Sequence, residues 1–391
     1  MPSDVLAVQH LGAACIAVGD RLCLQEALAR MDSLVSADPV PPPEPRTWVK
    51  EFKYLAHRVS PTSAESAAFV AIRDTIVPGM GNLPFTGALL LEQPDGLIEQ
   101  DRVYERLVGR PGMSMVRPIP SYTAIGRGDP AGVDSFRALV PEMPPQIRAQ
   151  LQPERFIDRA RILFELQELT ELSPTTAQEA LALAARPGAT AGERIESHWI
   201  AGASALWRGD SALLRAQLTE LARDTSVRAR TAVRSLHALA LGRRGNRGAA
   251  AESLLVIERE HGERRSSMVV WAAYAADRIL GAGWLSEARR YAPADSLLRY
   301  TRGLPVSYES GDVGQATFGA AQLLRSRIAE GMGRNEDAIA FAKIFLAAFD
   351  RAPPRAQAMR DEAYERIRRL GGRLDDRLPA RPGDLRQAPR R

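Results

Sequence analysis

An all-α superhelix of antiparallel helix hairpins is the fold expected of this 391-residue chain, on three grounds. Alanine, leucine and arginine dominate while aromatics make up 6%; these three are among the strongest helix formers, and β-branched residues are sparse. Apolar residues recur at helical spacing in segments that come in pairs, joined by short polar turns containing glycine. No segment alternates apolar and polar residues in the manner of a strand. The length exceeds one globular core, so several domains or one elongated array are expected.

Taken in order, residues 4–18 and 22–36 read as a first hairpin about Gly19-Asp20, closed by Asp38-Pro39, which makes 1–38 an N-terminal unit. "PVPPPEP" (39–45) follows as a stiff extended linker. Its PxxP spacings would also suit an SH3-type reader, but nothing in the chain suggests a host with such readers. Residues 46–150 form an irregular, mostly helical region, with helices expected in 46–75, 97–108 and 130–140. Glycine and proline break any periodicity in 76–96. From 151 to 370 the pattern is a solenoid. Helices at 153–169 and 175–185 precede the pairs 193–207/211–223, 227–243/247–260, 265–281/284–300 and 314–332/335–349. A last amphipathic helix, 353–370, stops at Gly371-Gly372. Residues 371–391, rich in Pro, Arg and Asp, are expected to form a disordered basic tail.

The hairpins carry a repeat. Aligning Gly209, Gly245, Gly283 and Gly333 as turn glycines places a small residue seven positions earlier, at Gly202, Ala238, Ala276 and Ser326. Alanine stands five positions later at Ala250, Ala288 and Ala338, with Leu214 the exception. Helices that cross closely need small side chains at the crossing and a residue that ends the first helix. The pattern resembles the tetratricopeptide repeat (TPR), best in 322–349 with Ser326, Gly333 and Ala338. The first hairpin fits with a longer turn through Gly12, Gly19, Ala27 and Pro39. Glycine-to-glycine steps of 36, 38 and 50 depart from the regular period of about 34 for this repeat. The resemblance implies a TPR-like α-α superhelix whose first helices line a concave groove for a protein or peptide partner. "RYAPADSLLRYTRG" (290–303) and the Ala/Arg-rich style also look similar to the C-terminal arrays of bacterial signalling proteins.

Arg-Gly-Asp occurs twice, at 127–129 and 208–210, and invites an adhesion reading. Helix punctuation explains it better. Arg208 suits the negative end of a helix, Gly209 supplies the left-handed closing residue, and Asp210 caps the next helix. At the second copy Asp129 is expected to cap a helix beginning at Pro130.

Charge and chemistry narrow the function classes. The net charge is +5, yet Arg366–Arg391 alone hold nine Arg and three Asp, so the body is near neutral. A basic tail keeps nucleic-acid binding as a competing reading. Cys15 and Cys23 are too few for a disulfide framework and suggest a reducing, cytoplasmic setting. "VLAVQHLGAACIAVG" follows "MPSD" without a basic side chain and is interrupted by Gln9 and His10, so export, to a periplasm for instance, is the alternative. No run of 18 apolar residues is present for a membrane span. The histidines (His10, His57, His198, His237, His261) are scattered; His198 and His237 fall in neighbouring first helices and could approach one another. Hydrolase, P-loop, zinc and kinase motifs are missing, and "GRRGNRG" (242–248) sits in a turn slot. No cofactor or metal is therefore expected, and the chain reads as a non-catalytic interaction scaffold. A helical enzyme with a site in 46–150 is the remaining competitor. The side chains expected to line the groove are Glu196, Trp199, Arg230, Arg234, Trp271 and Tyr274.

Overall fold

The computed structural model describes residues 8, 11, 21–37, 124–125, 128–143, 145, 148, 153–264, 271–299, 308–349 and 354–374. Among these residues there are thirteen α-helices, two 3₁₀ turns and no strand, in agreement with the all-α expectation. The chain divides into two compact units, Met1–Thr123 with Tyr300–Gly311, and Ala124–Arg299 with Asp312–Arg391. In the first unit, α1 (Arg21–Ser36) buries Ala27 and Met31 while Leu22 stays exposed. The linker 39–45, the helices expected in 46–75 and 97–108, the irregular stretch 76–96 and the tail beyond Leu374 lie outside the described residues.

The second unit holds α2 (Ala131–Leu139), α3 (Pro153–Leu166), α4 (Thr176–Ala184), α5 (Ala191–Arg208), α6 (Ser211–Arg223), α7 (Val227–Arg243) and α8 (Arg247–Arg264). It continues with α9 (Trp271–Glu287), α10 (Tyr291–Arg299), α11 (Tyr308–Gly331, from Asp312 onward), α12 (Asn335–Ala348) and α13 (Gln357–Arg369). Their ends are set locally. Thr190 and Glu193 form a reciprocal capping box on α5, and Ser226 accepts from the Ala229 N–H on α7. The Arg-Gly-Asp triplet behaves as punctuation: Gly209 has φ 76° and Asp210 accepts from the Leu213 N–H. At the other copy Gly128 has φ 72°, Asp129 accepts from the Ala131 N–H, and the helix starts one residue after Pro130.

One closing device recurs along the unit. After Gly128, Glu168, Gly209, Gly245, Arg289, Gly333 and Gly371, all at positive φ, the next N–H reaches back five residues. Asp210 N–H bonds the Ala205 carbonyl, and Arg290 N–H bonds that of Leu285. Each bond satisfies a carbonyl that the helix end would leave unpaired and reverses the chain.

Reversed helices then stack. α5 packs on α6, α7 on α8 and α9 on α10, while α6 also packs on α7 and α8 on α9. Side chains about one repeat apart join successive pairs. Arg155 meets Glu193 at 2.6 Å, Trp199 donates to Ser235 at 3.0 Å, and the Arg243 guanidinium lies 5.1 Å from the Trp207 ring centroid. Arg247–Glu287 and Glu252–Arg290 continue the series, as do Arg327–Glu362 at 2.5 Å and Glu330–Arg366 at 2.7 Å.

Three expectations need correction. The pair set at 265–281 and 284–300 is displaced: α9 runs through Gly283, and the turn falls at Arg289 with φ 57°. Burial of Trp284 and Leu285 holds α9 together past glycine's weak helix preference. Cys23 is disulfide-bonded, so the cysteines give no argument for a reducing compartment. Arg366, Arg368 and Arg369, counted with the basic tail, belong to α13 and pair with Glu330, Glu362 and Glu365.

Candidate functional site

The first helices of the pairs do more than stand side by side. α3, α5 and α7 pack in sequence, and α9 packs on all three. The side of α5 that would face a groove is therefore covered by α9. At this crossing Arg159 (α3) grips Glu196 (α5) through two hydrogen bonds of 3.0 and 2.6 Å, and Glu196 also accepts the Ala272 N–H of α9 at 3.1 Å. Burial pushes the Glu196 carboxyl up, but Arg159 and the Ala272 N–H outweigh it and hold the group below the usual carboxylate range.

Beside this pair runs a second buried chain. Trp199 Nε1–H donates to Ser235 Oγ at 3.0 Å, and the Ser235 hydroxyl donates to Asp277 Oδ1 at 2.6 Å. An indole only donates. Ser235 therefore receives from Trp199 and hands its own proton toward Asp277. Three successive pairs, through α5, α7 and α9, are tied by two hydrogen bonds. Burial, with nearby Glu258 adding repulsion, raises the Asp277 carboxyl to about 7 despite the serine hydrogen bond. Glu258 is itself raised by burial, and Arg278 lies 3.7 Å from it. Arg278 donates to the Leu297 carbonyl at 2.8 Å and to the Tyr274 hydroxyl at 2.7 Å.

A separate carboxylate group lies between α3 and α4. Asp158 is 3% exposed, and burial together with Glu179 raises it to about 7 against the pull of Arg161, Arg137 and Arg186. Glu179 is held below its usual range because Arg137 and Arg161 bind it, at 2.6 and 2.8 Å, strongly enough to overcome its burial. Glu165 accepts from Thr176 and from the Ser173 N–H, which steadies the loop before α4.

Of the six side chains expected in a groove, Glu196 and Trp199 are interior residues, at 7% and 0% exposure. Arg230 is exposed and donates to the Thr225 carbonyl, while Arg234 is half-buried and pairs with Glu260 at 2.6 Å. Tyr274 is half-buried beneath Arg278, and Trp271 is the first residue of α9. Of the two histidines in neighbouring first helices, His198 Nδ1 bonds Gln217 at 2.8 Å and His237 is exposed. Arg159, Ser235, Asp277 and Asp158 escaped the sequence reading. Lone polar residues inside apolar helical runs, as in "AAYAADRIL" (272–280), were the available signal.

Among the described residues no group of three or more His, Cys, Asp or Glu is placed to hold a metal ion, and no helix is long and apolar enough to cross a membrane. No protein-family model matches the chain, and neither a curated protein nor a solved structure is similar to it.

Proposed function

We propose that the protein is a non-catalytic interaction scaffold, a TPR-like stack of helix pairs that holds a protein or peptide partner. The observation that carries this reading is the use of its polar groups. Arginines and carboxylates join one pair to the next, from Arg155–Glu193 to Glu330–Arg366, in place of converging on a reacting centre. Joining of neighbours is the mechanical principle of a repeat array, here tightened by the packing of α9 on α3, α5 and α7. The same pairing weakens the nucleic-acid reading, since arginines neutralised by carboxylates attract phosphate poorly. The enzyme alternative in 46–150 falls largely outside the described residues. Compartment and partner identity belong to this proposal: a cytoplasmic adaptor and a periplasmic one both fit it, and the disulfide at Cys23 favours the second.

The partner surface on this reading is the first-helix side, where Arg230, Arg234 and Tyr274 are reachable. Immobilised full-length protein, exposed to host extract and then to the purified candidate, tests it. One stoichiometric partner is expected, weakened tenfold or more by Arg230→Ala with Arg234→Ala and by Tyr274→Ala. A monomer that binds no macromolecule and turns over a small molecule would overturn the proposal.

A further inference from the structure

The polar chain at the α5–α7–α9 crossing has a feature that packing alone does not require. Asp277 is 6% exposed, and its hydrogen-bond partner is a neutral hydroxyl. Apolar side chains would fill that volume at less cost, because a buried carboxylate without a cation is either neutral or strongly destabilising. Every neighbouring element has a defined part. From α7 comes Ser235; from α8 comes Glu258, a second carboxylate. α5 contributes Trp199 to the chain, and its Glu196 is neutralised by Arg159 of α3. On α9 itself Arg278 reaches toward Tyr274, Glu258 and the Leu297 carbonyl of α10, whose Asp295 is held by Arg334. A protonated Asp277 fits this site. An ionised one faces Glu258 with one hydrogen bond to sustain it.

We infer that the Trp199–Ser235–Asp277 chain is a proton-operated latch that keeps α9 closed over the inner face of α5. Loss of the proton favours states in which α9 lifts and Asp277 reaches water. Lifting α9 releases the Ala272 N–H from Glu196 and uncovers Glu196 and Trp199, the two interior residues of the partner-facing side. The inference thus deepens the scaffold reading by naming what regulates that face, and it rests on that reading only for the partner's entry. The latch itself is a property of the free protein.

The direction follows from linkage. The carboxyl titrates near 7 when α9 is closed and in the ordinary range when it is lifted. The closed state is therefore fully favoured in acid. Opening rises by up to roughly tenfold per pH unit between about 4 and 7, then levels off.

Native-state hydrogen exchange of α9 amides in the full chain, corrected for the intrinsic pH dependence of exchange, reads this without any partner. Opening of 272–285 should rise about fiftyfold from pH 5 to pH 7 and level off above. Asp277→Asn should flatten the profile and keep α9 closed at neutral pH. Ser235→Ala removes a hydrogen bond that lowers the carboxyl, so its plateau should move to higher pH. Glu258→Gln removes a repulsion that raises it, so its plateau should move to lower pH. Asp158→Asn, altering another raised carboxylate on a helix packed against α9, should leave the midpoint in place. A wild-type profile with no pH dependence overturns the latch, as does one shared unchanged by the Ser235 and Glu258 variants. A protein that fails the partner assay yet shows these shifts keeps the latch and loses the scaffold.

Discussion

Arg289 holds left-handed backbone at φ 57°, where a side chain crowds the following carbonyl. That conformation costs an L-residue about 1–2 kcal/mol, partly offset by the larger unfolded-state freedom of glycine. Arg289→Gly should therefore stabilise the protein by about 1 kcal/mol in denaturant titration, and a loss of stability would contradict the closing device described here. The Arg159–Glu196 pair makes the opposite kind of demand. Its side chains are 11% and 10% exposed, so Arg159→Ala leaves a carboxylate buried without its cation and should cost about 3–5 kcal/mol. Replacing both, by Met at 159 and Leu at 196, should recover all but about 1–3 kcal/mol. That remainder is the orphaned Ala272 N–H. If single and double variants are equally damaged, the pair is not the reason these residues are buried.

At the scale of elements, legibility followed the turn glycines. Gly209, Gly245 and Gly333 mark reversals in both sequence and structure, and the helices around them lie within a few residues of where periodicity put them. The expectation failed where another residue took the glycine's place. Arg289 looks like any exposed helical arginine, while Gly283, two residues from the buried Leu285, looks like a stop. The left-handed positions run Gly209, Gly245, Arg289 and Gly333, and this uneven spacing defeats a fixed-period alignment. The site was less legible still. Periodicity identified which helices come first in each pair, but the side that would line an open groove and the side buried in a closed core carry the same residues. Only the α3–α9 and α5–α9 packing decides between them, and these contacts skip over the intervening pairs. Gly242 shows how tight the inner packing is, since a Cβ there would overlap the Trp284 ring. Gly242→Ala should destabilise by about 1–3 kcal/mol by urea titration, even though alanine is the better helix former. Adding Trp284→Leu should recover part of that loss; a stabilising Gly242→Ala would show the two helices to be farther apart.

For the whole molecule, two sets of carboxylates set opposing limits on pH. Glu196, Glu179, Glu330 and Glu362 are held below their usual range by arginines, so their contribution is present above about 4.5 and is lost as pH falls through their lowered values. Asp158 and Asp277 are raised to about 7, so their contribution is full below about 4 and is lost as pH rises to about 7. Thermal stability should peak at weakly acidic pH, and Asp158→Asn with Asp277→Asn should flatten its neutral side. A maximum above pH 8 would contradict that assignment. Ends as well as middle are tied: the Phe349 ring lies against Gly128, and Arg355 pairs with Glu171 at 2.6 Å. An open repeat stack frays from its ends, whereas mutually packed first helices open together as long as the latch holds α9 closed. Site-resolved hydrogen exchange across α3, α5, α7 and α9 at pH 5, with the latch closed, tests this most directly. One shared opening free energy is the predicted result. Protection graded from the centre of the stack toward its ends would contradict it.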